Sequence, residues 1–323
     1  MNDLSNFLEL NNITISYVSI IGFVLFLSFV FTSLLIKFSS VIGIIDKPNV
    51  RKVHNKIIAR TGGIGIFLSF IIGVFLLRVW EYNEKYDINL LSILIGILLI
   101  VFFGIIDDKF ELSAKFKLGF QFLGCSIIVF YGEISLNSLN IPLLNLNLNL
   151  SDFGFLCDLF SIIWLLAILN AVNLIDGLDG LASGLSIISL CTISFMSILL
   201  GDFFVFSICL LLIMSCLGFF YFNFNPAKIF MGDTGSQFLG LMLGILTLLN
   251  LKKILLFSFL VPVLILIIPI LDTCLAILRR YLNGKPLGMA DRGHLHHRFI
   301  DKGMSQKKTV CFICVINWFR TSN

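Results

Sequence analysis

Long apolar runs, separated by short polar loops, recur along the whole chain, and they leave few folds open. About 20 apolar residues span a bilayer as a helix, and a backbone in lipid must satisfy its own hydrogen bonds. Ten runs reach or approach that length, at roughly 15–36, 63–79, 90–106, 116–131, 154–171, 181–200, 203–222, 235–249, 254–277 and 309–322. The composition agrees: of 323 residues, 58% are hydrophobic and only 13% charged. A soluble domain of this size has no use for so much apolar surface. The expected fold is therefore all-α: a polytopic integral membrane protein of about ten transmembrane helices, forming one membrane-embedded domain over residues 1–323. The first run is too long, and too uncharged at its start, for a cleaved signal peptide, so it is read as a mature helix. No internal repeat of the inverted-transporter kind is visible.

Charge then orients the bundle. If the first helix runs from outside to inside, the inner loops are 37–61, 107–117, 170–180, 223–234 and 278–308, and they hold 18 of the 23 Lys and Arg residues. Arg78, Lys85, Lys252 and Lys253 fall outside. By the positive-inside rule the polar loops, and the chemistry they carry, are cytoplasmic. The expectation is a cleft on the cytoplasmic face of the membrane. On the outer side, the period-two alternation near Leu143–Leu150 reads as a short strand or hairpin. All eight cysteines lie in apolar segments, and the Cys311/Cys314 pair reads as two small apolar side chains rather than a redox centre. Pro262 and Pro269 are expected to kink the ninth helix.

Five polar constellations interrupt this apolar background. The most informative runs from Asn170 to Gly180, with Asn170, Asn173, Asp176 and Asp179 at every third position and no Lys or Arg nearby. Ionisable groups at membrane depth are costly and default to function. Two carboxylates without a local counter-ion call for a metal ion or a cationic ligand. Each i+3 step turns a helix position by about 60°, so one continuous helix cannot aim all four at one point. Gly177 and Gly180 predict that the backbone loosens there and lets Asp176 and Asp179 share a cavity; Asn170 is expected to serve the helix end.

Asp107 and Asp108 end an apolar run and precede Lys109, Lys115 and Lys117. Adjacent acids at the lip of a helix suit a metal site or a general base with a raised pKa. The first inner loop carries five cations from Lys47 to Arg60, among them Lys52 beside His54, then Gly62-Gly63. It reads either as lipid-headgroup contact or as a clamp for phosphate, with the glycines allowing backbone close to a ligand. The stretch Asn223–Ser236 places Asp233 between two glycines at a helix start, where backbone N–H groups favour anions and a bound Mg²⁺ would reinforce them. Phe230 in that loop either stacks on a base or anchors the interface. Finally, Asp291–Arg298 gathers His294, His296 and His297 between Arg292 and Arg298, a spacing better suited to phosphate than to one zinc.

In this order, the texts DKPNVRKVH, GIIDDKFELSAKFKLGFQ, NAVNLIDGLDGLASGLS, NPAKIFMGDTGSQFLG and DRGHLHHRF resemble the polyprenyl-phosphate N-acetylhexosamine-1-phosphate transferases, over residues 15–308. The H-L-H-H-R form resembles the branch that begins teichoic acid, enterobacterial common antigen and O-antigen chains. The resemblance implies that undecaprenyl phosphate attacks the β-phosphorus of a UDP-N-acetylhexosamine, with UDP-GlcNAc the expected donor, and that UMP leaves. It implies Mg²⁺, or Mn²⁺ in its place, on Asp233. Asp107 or Asp108 would deprotonate or orient the lipid phosphate, with Asp176 beside them as a third catalytic candidate. Asn173, Asp176 and Asp179 would line the nucleotide cleft, with Asn223 in the next wall and Asp179 and Phe230 near the uracil. Lys52, His54, Arg60, His294, His296, His297 and Arg298 would hold phosphate or sugar. Expected partners are these substrates and membrane lipids, with a homodimer allowed and no nucleic acid. Two departures stand out. Ile57-Ile58-Ala59-Arg60 replaces the family's P-I-P-R, which softens the loop without removing its charge, and the tenth segment is short where relatives of this branch often have a further helix.

Two other readings compete. A phospho-MurNAc-pentapeptide transferase of peptidoglycan synthesis would share most of these motifs. A membrane transporter would also bury acids among helices, but does not explain why every polar cluster lies on one side.

Overall fold

The computed structural model describes residues 2–46, 57–86, 88–136, 138–141, 146–149 and 154–251, with residues 308, 310 and 312. Within them the chain folds as eight α-helices: α1 Asn2–Ile42, α2 Gly62–Leu77, α3 Leu90–Phe110, α4 Ala114–Phe130, α5 Phe155–Ile175, α6 Leu181–Leu199, α7 Phe203–Asn223 and α8 Gly232–Leu251. A 3₁₀ segment, Val79–Lys85, follows α2. Five helical stretches are long and apolar enough to cross a membrane: Ser16–Ile42, Leu90–Phe110, Phe155–Ile175, Leu181–Leu199 and Phe203–Asn223. The protein is a multi-pass helical membrane protein, as the apolar runs require. The first eight expected segments each coincide with one helix. Expected helices nine and ten lie almost entirely outside the described residues, as do Pro262, Pro269 and the Cys311/Cys314 pair.

The helices are not equivalent. Helix α8 is buried from Gly232 to Leu249, in the middle of the bundle. Helices α2, α3, α5 and α6 pack around it. Its polar residues Thr234, Ser236, Gln237 and Thr247 are buried too. Lipid tails are as apolar as leucine, so helices associate through close packing rather than hydrophobic exclusion. Gly63 of α2 and Gly235 of α8 show how close. A Cβ on Gly63 would fall 2.1 Å from the Gly235 nitrogen. The expectation that Gly62-Gly63 brings backbone against a ligand is therefore corrected. The close approach is to α8 itself, and Gly62 and Gly63 donate to the Phe230 and Met231 carbonyls.

Two small antiparallel ladders complete the fold. Strands β1 (Ile45–Asp46) and β2 (Ile58–Ala59) close the first loop, and Ala59 bridges to Ile229. Strands β3 (Ser138–Ile141) and β4 (Leu146–Asn149) form the hairpin that period-two alternation predicts, with Ser138 opposite Asn149. At the α6–α7 turn, Asp202 caps α7: its carboxylate accepts from Val205 N at 3.2 Å and from the Tyr86 hydroxyl.

Candidate active site

The expected break in the Asn170–Asp179 stripe is present. Helix α5 ends at Ile175, residues 176–180 turn, and Gly180, at φ +77°, opens α6. The four polar residues consequently have different partners. Asn170 donates to Gln121 Oε1 on α4 and to its own Leu166 carbonyl, both at 2.9 Å. It joins two helices rather than serving the helix end. Asn173 donates to Asp233 Oδ1 at 3.2 Å and to Ser236 Oγ at 2.8 Å. Asp179 turns away, accepting from Asn225 Nδ2 at 2.9 Å and from Ala227 N at 3.0 Å, and so fastens the α7–α8 loop. Asp176 caps the end of α5. Helix ends around it desolvate its carboxyl, and the Asp233 charge adds to the effect, so its pKa is pushed up to about 7.

Asp233 is the centre. It sits in the first turn of α8, as its flanking glycines predict. Arg60 Nη2 lies 3.0 Å from its Oδ1, and Lys117 Nζ lies 2.7 Å from its Oδ2. Both cations also reach α3. Arg60 Nε is 3.0 Å from Asp108 Oδ1, and Lys117 Nζ is 2.5 Å from Asp107 Oδ2. Two cations from α4 and the β2–α2 link thus tie three carboxylates from two helices. Four acids (Asp107, Asp108, Asp176, Asp233) thus gather around Arg60 and Lys117.

The anion at the start of α8 is internal. Asp233 N and Thr234 N donate to the two oxygens of Asp108 at 2.7 and 2.9 Å, and Thr234 Oγ1 adds a third bond at 2.6 Å. Asp108 is thus a capping group in trans, stabilised by the N-terminal N–H groups and helix dipole. Gly232, at φ +73°, makes this possible: a Cβ there would fall 2.6 Å from Asp108 Oδ2. Asp107 is placed differently. Its Oδ1 accepts from Leu112 N at 2.8 Å, while Oδ2 is buried without an aligned hydrogen bond despite the nearby Lys117 ammonium.

Asn223 is buried and fully engaged. Its carbonyl oxygen accepts from Gly180 N at 3.1 Å and Ser183 Oγ at 2.8 Å, and its amide donates to the Ile229 carbonyl at 2.9 Å. Phe230 is half-buried, with its N–H donating to the Ala59 carbonyl at 2.7 Å. Through that ladder the α7–α8 loop positions Arg60. Lys52, His54, His294, His296, His297 and Arg298 lie outside the described residues.

Comparison with known proteins shows the family. The model of glycosyl transferase family 4 matches residues 90–250, from the start of α3 to the end of α8. A probable undecaprenyl-phosphate N-acetylglucosaminyl 1-phosphate transferase of Bacillus subtilis (strain 168) is 41% identical over 278 residues, covering 86% of this chain and 75% of its own. The chain belongs to glycosyl transferase family 4. This family-4 transferase is also 32% identical to a decaprenyl-phosphate N-acetylglucosaminephosphotransferase of Mycobacterium tuberculosis (strain CDC 1551 / Oshkosh), over 85% of this chain and 73% of that one. It is 29% identical to the undecaprenyl-phosphate alpha-N-acetylglucosaminyl 1-phosphate transferase of Escherichia coli (strain K12), over 88% and 78%. Transporter and peptidoglycan readings gain nothing from these relatives.

Lys117 is the site residue that sequence reasoning left without a role. It was one of three lysines after the Asp pair, and only the packing of α4 beside α3 singles it out. Thr234 and Ser236 belong with it, their polar side chains turned inward by their position on a fully buried helix.

Proposed function

We propose that the protein transfers N-acetylglucosamine-1-phosphate from UDP-N-acetylglucosamine to undecaprenyl phosphate at the cytoplasmic face of a bacterial inner membrane, beginning an envelope polysaccharide. An oxygen of the lipid phosphate forms a bond to the β-phosphorus, the bond from that phosphorus to the bridging oxygen breaks, and UMP leaves. The observation that carries this reading is the Asp233 centre, where two cations and a surplus of carboxylates meet at one end of a buried helix. Phosphoryl transfer needs positioning and charge neutralisation above all. The relatives, by their names, act on polyprenyl phosphates and N-acetylglucosamine phosphate.

The donor set suits Mg²⁺, which commonly takes one or two carboxylates and leaves its other positions to water and substrate phosphate. Asp233 and Asp107 would hold it, and Asp107 Oδ2, buried without an aligned hydrogen bond, has a lone pair to offer a cation. When bound, it would offset phosphate charge. Arg60 contributes a second positive group, its Nε held on Asp108. Asp176 supplies a carboxyl that changes charge near neutral pH, suited to taking the proton of a lipid phosphate. Asn173 orients Asp233, while Asp179 and Asn223 hold the loop that carries Phe230, a flat partner for uracil. Lys52, His54, His294, His296, His297 and Arg298 remain the proposed phosphate and sugar contacts.

UMP release tests this directly. Membranes carrying the protein should release UMP from UDP-N-acetylglucosamine only with lipid phosphate and Mg²⁺ or Mn²⁺ present. No UMP from any UDP-N-acetyl sugar would sink the proposal. Consumption of UDP-MurNAc-pentapeptide instead would move the protein to the peptidoglycan branch.

A further inference from the structure

We infer that the Lys117 ammonium holds the place of a divalent cation between Asp107 and Asp233, so that cation binding and release of Lys117 toward substrate phosphate are a single exchange. The inference rests on the reading of Asp233 as a metal ligand. Two carboxylate oxygens from two helices aim at one point, and Nζ occupies it at 2.5 and 2.7 Å. At those distances a second cation on the same oxygens meets strong repulsion, because like charges a few Å apart interact by several kcal/mol even at an effective dielectric of about 20. One of the two must therefore leave.

The surroundings say which. Asp107 Oδ2 is buried, yet its contact with Nζ is not an aligned hydrogen bond. That oxygen therefore has a lone pair left for a cation, whose other positions water and substrate phosphate can fill. Arg60 is anchored by Nε on Asp108 and by a strand whose Ala59 carbonyl is bonded to Phe230 N. Lys117 lies in the first turn of α4, on a flexible four-carbon stem, with 30% of its side chain exposed. It also lines a recess between α3, α4 and α8, shared with Phe103, Phe120, Gln121 and Gln237. Arg60 stays, and Lys117 moves. Once released, its three donors are free for a phosphate brought in at the same end of the bundle.

The exchange predicts opposite signs for two properties of one variant. In Lys117→Gln, Mn²⁺ should bind tighter, because its competitor is gone, while UMP release falls. A lysine that merely braces the helices would, on removal, loosen the site and weaken Mn²⁺. The test is an electron paramagnetic resonance titration of the detergent-purified full chain with Mn²⁺ alone. Expected is a Kd at least about tenfold lower for Lys117→Gln than for wild type, and no binding by Asp233→Asn. An unchanged or raised Kd in Lys117→Gln overturns the exchange alone; no Mn²⁺ binding by wild type overturns the metal reading of Asp233 with it. A second measurement needs no variant. Lys117 should be acylated faster by an amine-directed reagent when Mn²⁺ is present, relative to Lys115 in the same digest. A ratio that stays level or drops overturns the exchange.

Discussion

The two ends of the bundle solve the same problem in different ways. At the α6–α7 turn a buried carboxylate, Asp202, is met by a backbone N–H and a tyrosine hydroxyl, neutral donors that fix the turn. At the start of α8 a buried carboxylate, Asp108, is likewise met by backbone N–H groups and a hydroxyl, but three further carboxylates and two cations crowd beside it. Gathering four acids around two cations costs desolvation that stability alone does not require. A cluster of acids at a helix start, rather than burial or capping as such, separates the end proposed for chemistry from the end that holds the fold.

The comparison can be broken most sharply at Asp233. Asp233→Asn should lower UMP release by at least ~100-fold, in the range seen when one electrostatic group is removed from a phosphoryl- or acyl-transfer site, while membrane insertion stays intact. Near-normal activity would take Asp233 out of the centre. Asp108→Asn should damage both properties, because it removes the charge and one acceptor and turns an NH2 toward Arg60 or the Asp233 and Thr234 donors. We expect a loss of about 2–4 kcal/mol in the thermal unfolding of the purified protein, with activity falling alongside. A smaller effect is expected from pH. With its pKa pushed up to about 7, Asp176 is neutral below that pH and ionised above it. If its carboxylate takes the proton, kcat/KM climbs as pH passes through 7, and Asp176→Asn gives a lower, flatter profile. At the other end, Tyr86→Phe should cost only about 1–3 kcal/mol of stability and leave UMP release unchanged. A Tyr86 variant inactive at full stability would erase the distinction between the ends.

Much of this was legible in the chain. Apolar run length places eight described helices, because a spanning helix must satisfy its own backbone. Period-two alternation found the β3–β4 hairpin for the equally local reason that strands alternate sides. Rotation per residue correctly forbade one site for Asn170, Asn173, Asp176 and Asp179. What stayed hidden was pairing across helices. Nothing in sequence spacing says that Asp108 caps a helix 125 residues further on, or that Lys117 rather than Lys115 meets Asp233. Nor does it say that Asp179 ties down a loop and Gly63 admits Gly235. Such partners are set by which faces of α2, α3, α4 and α8 meet, a property of the packed bundle alone.

The capping of α8 by Asp108 also orders events during synthesis. Helices enter the membrane as they are made, so α2, α3 and α4 arrive with Arg60, Asp107, Asp108 and Lys117 already in place and their partner missing. Asp233 and Thr234 come with α8, bringing the N–H groups that Asp108 caps and the carboxylate that both cations share. A nascent chain stopped before α8 therefore keeps two charge pairs, Arg60 with Asp108 and Lys117 with Asp107, yet has nothing to join them.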